Sequence, residues 1–153
     1  RIYYHQIARF NYTTYDVRRA QDVINPRTPH CNIMILNNIN NEASHYRYAK
    51  VLGVHHANIV FAGSGSDTHR MDFLFVRWYE CIELGSWEMQ TLDRVRFKPL
   101  DCDDAFGFIS PDDILRSIHI IPCFSRGMRH EDGVGISLLA GDCNDWHEYY
   151  VNR

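Results

Sequence analysis

Apolar and polar residues alternate along this chain in short runs, and few stretches repeat every third or fourth position, a pattern that favours strands over helices. Residues 1–15 mix β-branched, aromatic and polar types (Ile2, Tyr4, Phe10, Tyr12, Thr13, Thr14, Tyr15) and read as extended. Asp16 then precedes residues 17–24, which fit either a two-turn N-capped helix ended by Asn25-Pro26 or an extended edge. Pro26 and Pro29 make residues 25–32 a rigid loop. Residues 33–36 are a short buried strand, and residues 37–44, with four asparagines, a surface turn.

The middle of the chain is the most informative. Residues 46–61 form a long β-type run in which Gly53 marks a bulge or bend, followed by a Gly/Ser-rich hairpin tip over 62–67. From 71 to 79, the even positions Leu74, Val76 and Trp78 are apolar, and so are the odd positions Met71, Phe73 and Phe75. This predicts a central strand covered on both faces. Trp78 alternates with Arg77, so one of them faces away from the interior or Arg77 is specially paired. Residues 87–97 hold one or two shorter strands broken at Asp93-Arg94, and 101–104 are an acidic loop. Ser110 as N-cap, Pro111 at the first helical position and Asp112 and Asp113 in the first turn predict a short helix running into Ile114-Leu115. Residues 118–121 are a strand closed by Pro122, 125–144 are Gly-rich and irregular, and 145–151 are a final helix or a docking strand. The expected fold is mainly β: a twisted SH3-like barrel with a few short helices and loop insertions.

Composition narrows the function classes. At 153 residues, with 45% hydrophobic, 13% aromatic and 23% charged side chains, the chain suits a single domain with a real core. Its ends, Arg1 and Arg153, read as cuts inside a longer protein. No apolar run approaches the ~20 residues of a membrane helix. The net charge of −3 and scattered arginines (Arg18/Arg19, Arg126/Arg129) give nucleic-acid binding no support. Five cysteines, an odd number with no CxxC pair, point to reduced intracellular thiols. Asn11-Tyr12-Thr13 matches a glycosylation acceptor, a pattern that arises often by chance.

Catalytic chemistry finds little footing. His55 and His56 are neighbours on a strand and point to opposite faces, so they do not share one ion. His119 and Cys123, with His30 and Cys31, have the donor types of a zinc site, but no spacing demands one. Asp101, Asp103, Asp104, Asp112 and Asp113 are the carboxylates a Mg²⁺-dependent nuclease would need, yet Asp112 and Asp113 already suit a helix start and the others a solvated turn. There is no G-x-S-x-G, P-loop or Cys-His nucleophile pattern. No catalytic residue, metal site or cofactor is assigned.

Four segments in order, residues 46–54 (YRYAKVLGV), 71–79 (MDFLFVRWY), 94–97 (RVRF) and 110–121 (SPDDIL through IHII), resemble a BAH (bromo-adjacent homology) domain over about residues 46–123. That family shows a "YxAxI" strand, a "VxWFxRPE" strand, and a "P-x-x-I" turn before a closing "C-x-V" strand. Residues 1–45 then become an N-terminal extension packed on the barrel, and 124–153 a C-terminal one. A second resemblance spans nearly the whole chain (NYTTYDVRRAQD at 11–22, NPRT at 25–28, HRMDFLFVRW at 69–78, FGF at 106–108, YYVN at 149–152). It is to the C-terminal region of uncharacterised proteins of mushroom-forming fungi associated with Plavaka- or KDZ-type transposons.

The BAH resemblance implies a protein-interaction module, and in some members a methyl-lysine cage. By position Trp78 matches the cage tryptophan, Arg47 takes the first-strand place beside Tyr46 and Tyr48, Glu80 takes the remaining place, and the "RPE" is absent. The expected peptide-binding rim is Tyr46, Tyr48, Trp78, Tyr79, Glu80 and Trp87. The functional expectation is a non-catalytic nuclear module that docks a transposon-associated protein on chromatin, through a protein or a basic peptide such as a histone tail. The alternatives are a metal-binding or nuclease accessory domain of a transposase, and a purely structural domain of the parent chain.

Overall fold

The computed structural model describes residues 1–11, 21–37, 45–60, 67–82 and 92–153. Its strands are β1 (Ile2–His5), β2 (Ala8–Asn11), β3 (Gln21–Ile24), β4 (Asn32–Leu36), β5 (Tyr46–Ile59), β6 (His69–Cys81), β7 (Arg94–Phe97), β8 (Phe106–Ile109), β9 (Ile114–Ser117), β10 (His119–Pro122) and β11 (Tyr149–Asn152). The fold is mainly β, as the alternation predicts, and the helical turns among the described residues are short 3₁₀ turns.

The main sheet runs β10-β11-β7-β6-β5-β4-β9. The chain passes from β9 to β10 through Ile118 alone, whose N–H donates to the Asn32 carbonyl at 3.0 Å. One bent strand thus pairs with β4 on one half and with β11 on the other, so the sheet curls into a nearly closed barrel. Closure removes edges that would otherwise recruit other chains.

Side chains from β4, β5, β6, β7 and β11 meet inside with Ile118, which links β9 to β10: Met34, Tyr48, Tyr79, Val95, Phe97, Tyr149 and Val151. A second cluster lies on the outer side of β4, β5 and β6, built from Ile33, Ile35, Ala49, Val51, Leu74, Val76 and Trp78. It is capped by Ile24 of β3 and by Ala8 and Phe10 of β2. The two-sided cover that the sequence predicts for β6 is thus supplied by two apolar centres, one on each face of β5 and β6. That is why β6 is apolar at both parities.

Several local expectations hold and others need correction. The bulge sits beside Gly53, where the β5–β6 register shifts between Val51 and Gly53. Of residues 16–24, the described part, Gln21–Ile24, is a strand; the tip at 62–66 and most of the loop at 37–44 lie outside the described residues. The Ser110 N-cap is present, its Oγ accepting from the Asp112 N–H at 3.3 Å. The helix stops after Pro111–Asp113, however, and Ile114 begins β9. Ile114 packs on the outer cluster and β9 pairs with β4, so tertiary pairing overrides the local helix signal. Residues 149–152 form a strand, the second of the two readings. The division at 46 and 123 does not follow the architecture, because β4 and β11, from the two supposed extensions, are barrel staves.

β5 and β6 are longer than the barrel they help to build. At Trp78 the neighbour of β6 changes: its carbonyl accepts from Lys98 N–H at 3.2 Å, after β7, and its N–H donates to the Ala105 carbonyl at 2.9 Å, before β8. Beyond that point β5 takes β1 as its partner and β6 takes β8. The far ends of β5 and β6 thus project as a four-stranded apron, β1-β5-β6-β8, on which the candidate site lies.

Candidate functional site: an aromatic sheet face with acidic ends

The expected rim residues do not converge. Tyr48 and Tyr79 point into the barrel and Trp78 into the outer cluster, with 1%, 7% and 6% of their surfaces exposed. Tyr79 stacks on Phe97 at 4.2 Å between ring centroids, and its hydroxyl donates to Asn32 Oδ1 at 3.0 Å. Tyr48 donates its hydroxyl to Asp93 Oδ2 at 2.6 Å and accepts from Arg153 Nε at 3.1 Å. Burial, then the hydrogen bond and negative charge of Asp93, push this phenol well above its ordinary range. Tyr46 lies under the Arg153 guanidinium at 4.7 Å. Glu80 pairs with Arg96 on the surface, and Trp87 lies outside the described residues.

The rim is corrected for a simple reason: adjacent strand residues face opposite ways, and both faces of β6 are packed. The face of the Trp78 ring also already holds a cation, the Arg47 guanidinium, 3.9 Å from its centroid. The position where the resemblance calls for a cage aromatic supplies an internal occupant instead. Behind Trp78, a Cβ at Gly107 would lie 2.7 Å from Nε1, so the indole fits against bare backbone.

The apron carries a different aromatic array. Tyr4 of β1 lies opposite His55 of β5, which lies opposite Phe73 of β6; Phe75 lies opposite Phe108 of β8. Directly paired residues share a face, so these rings form one surface. Tyr4 meets His55 edge-on at 5.5 Å, and His55 stacks on Phe73 at 5.4 Å. Phe108 touches Phe73 at 5.7 Å and Phe75 at 5.2 Å, and Phe75 stacks on Phe106 at 5.7 Å. Tyr4 and Phe108 remain 48% and 68% exposed, and Ile2 and Met71 on the same face are exposed too. His55 is held below the ordinary histidine range by burial and by His5, so it stands in this row as a neutral ring near neutral pH.

Carboxylates bracket β8. Asp101 and Asp103 precede it and Asp112 and Asp113 follow it, all exposed and without an ion pair among the described residues. Asp104 is paired with Lys98. The outer edge of β8 has no strand partner among the described residues. Since Trp78 bonds to Ala105, alternation directs the N–H and C=O of Phe106 and Phe108 away from β6, toward solvent. Sequence reading missed this face, although its signal is present as two Phe-x-Phe triplets, at 73–75 and 106–108. The first triplet lies inside the run that reads as a central strand, and the second stands just before the Ser110 helix start.

The other candidates are weaker. Behind the apron, a cleft of about 550 Å³ is lined by Arg9, Phe10, Arg70, Asp72 and Asp112 among others. Its central charges answer each other, for Arg70 holds Asp72 through Nη2 at 2.7 Å. His56 faces this side, stacked on Tyr3 at 4.6 Å and bonded to His5 at 2.6 Å, so His55 and His56 do point apart. The His30 and His119 rings approach to 5.8 Å. Among the described residues no three His, Cys, Asp or Glu side chains are grouped to hold a metal ion, and no helix is long and apolar enough to cross a membrane.

The fold and this face define a β-barrel domain with an open aromatic apron. No family model, curated protein or solved structure matches the chain.

Proposed function

We propose that this domain is a non-catalytic protein-interaction module that holds a basic, partly apolar segment of a partner on the apron. The observation that carries the reading is the ring row from Tyr4 to Phe108, open at both ends, with carboxylates at its β8 end that have no ion pair among the described residues. Aromatic side chains offer large contact area at small entropic cost, and carboxylates at the margin steer basic partners and reject acidic ones. In the setting implied by the resemblance to transposon-associated proteins, the partner is a chromatin protein and the segment a histone tail, met in the nucleus. Arg47 on Trp78 argues that recognition rests on sequence and charge and not on a methyl-lysine cage.

Titration calorimetry against a panel of basic peptides, histone tails with and without methyl-lysine included, tests this. Binding that is insensitive to methylation and lost in Phe108→Asp is expected. A silent panel, or binding unchanged in Phe108→Asp, counts against it.

A second reading, a structural domain packed on its parent chain, is favoured by one observation. Val134, Ile136, Leu138 and Leu139 are all exposed on one loop, and exposed apolar patches mark contact surfaces. If that loop packs on the parent chain, Leu138→Asp lowers the yield of the full-length protein and leaves the isolated domain unaffected. Equal yields would remove this reading.

A further inference from the structure

Resting on the reading above, we infer how the partner is held: by strand addition to the outer edge of β8, as an extended segment with basic ends and alternating apolar residues. The edge is the first reason. Phe106 and Phe108 direct backbone donors and acceptors outward, with no strand among the described residues to receive them. Proteins commonly blunt such an edge with a lysine, a proline or a covering loop. The edge residues here are Phe, Gly, Phe and Ile. Residues at alternate positions of an added strand would lie beside Phe106 and Phe108 and continue the ring row by one strand.

Charge selects the occupant. A second copy of this chain could present the same edge, but in either direction of pairing Asp101, Asp103, Asp112 and Asp113 would meet the same carboxylates of the copy. Like charges set against each other oppose that assembly. A segment with Lys or Arg at both ends and an apolar middle satisfies backbone, rings and carboxylates together. β8 and its flanking turns match an extended segment of about eight residues.

The test uses a fluorescent peptide, Lys-Lys-Ile-Thr-Val-Thr-Ile-Lys-Lys, followed by anisotropy against wild type, Phe108→Ala and Phe108→Pro. Proline at 108 removes an N–H that β6 does not use, on an edge where proline is tolerated and after a glycine that accepts the restriction. Alanine removes the ring and keeps the N–H. Strand addition gives a Kd for Phe108→Pro about tenfold weaker than for Phe108→Ala. Should the proline variant fail to fold, N-methylation of alternate peptide amides replaces it: one parity abolishes binding to wild type and the other leaves it intact. Equal loss in the two variants, or equal effects of both methylation parities, with wild-type binding retained, overturns strand addition and leaves the interaction reading standing. No binding by wild type, either to this peptide or to the histone panel, removes both.

Discussion

Arg77 is completely buried, one residue from Trp78 and opposite Lys50 across the β5–β6 pair. Its guanidinium lies 3.9 Å from the Phe97 ring centroid, and Nη1 is 2.7 Å from Asp145 Oδ2. Burial pushes the Asp145 carboxyl above the usual carboxylate range, and Arg77 offsets only part of that rise. Removing one partner strands the other, so Asp145→Ala is expected to cost about 3–5 kcal/mol in chemical denaturation. The double variant Arg77→Met/Asp145→Leu should recover most of that loss; an equally unstable double variant would show that packing, and not charge, sets the cost. Gly107 gives a companion expectation. In Gly107→Ala the new methyl meets Trp78 Nε1, so stability should fall by about 1–3 kcal/mol and the indole emission should shift. Sequence alternation shows that Arg77 and Trp78 cannot both face one core. It does not show that Asp145, 68 residues away, enters the barrel to meet Arg77, because that contact depends on how an irregular segment returns.

That returning segment, residues 124–148, is organised by another buried carboxylate. Asp142 accepts from the N–H groups of Ile136 and Ser137, each at 2.8 Å, and faces His130 Nε2 at 3.3 Å. Burial opposes its charge, but the two N–H donors, with His130, outweigh burial and hold its pKa below the usual carboxylate range. The loop that exposes Ile136 and Leu138 is thus a fixed shape. Asp142→Ala should raise its protease susceptibility and leave the barrel transition little changed; a resistant loop would show that other contacts suffice. β1 is tied on by a different device, the His5–His56 hydrogen bond, with Tyr3, Arg70 and Asp72 around it. Partial burial, then Arg70 and His5, keep His56 below the ordinary value of 6.5, against the pull of Asp72. The unfolded state therefore takes up the proton first. The contribution of His56 is complete above about pH 6.5 and is lost as pH falls from there through the folded value. The protection factors of the β1 amides, taken relative to intrinsic exchange at each pH, should fall over that interval while those of β6 hold; unchanged protection in β1 would contradict this. At this scale β5, β6 and the bulge at Gly53 were legible from periodicity. β9 was not, because Ser110-Pro111-Asp112-Asp113 is a sound helix start and only pairing with β4 diverts the chain after Asp113.

Across the whole molecule, the barrel and the apron divide two tasks on the same pair of strands. Near residues 48–51 and 76–79, β5 and β6 are packed on both faces; near 55–57 and 71–75 the face that carries His55 and Phe73 is partly open. The sequence does not mark that change, for Phe73 and Phe75 look no different from Leu74 and Val76. What separates them is the switch of neighbour at Trp78, a property of the assembled sheet. The rim of Tyr48, Trp78 and Tyr79 was misplaced for the same reason: aromatic residues near one another in a strand alternate between two cores. The open ends of the row fall on Tyr4 and Phe108, and the acidic turns lie at the Phe108 end.

Hydrogen–deuterium exchange of the backbone amides, with and without a bound basic peptide, tests that division most directly. The account expects the Phe106 and Phe108 amides to exchange fast in the free domain and to become protected on binding, while exchange at Tyr48 and Tyr79 is unaltered. Protection elsewhere, with Phe106 and Phe108 unchanged, would contradict it.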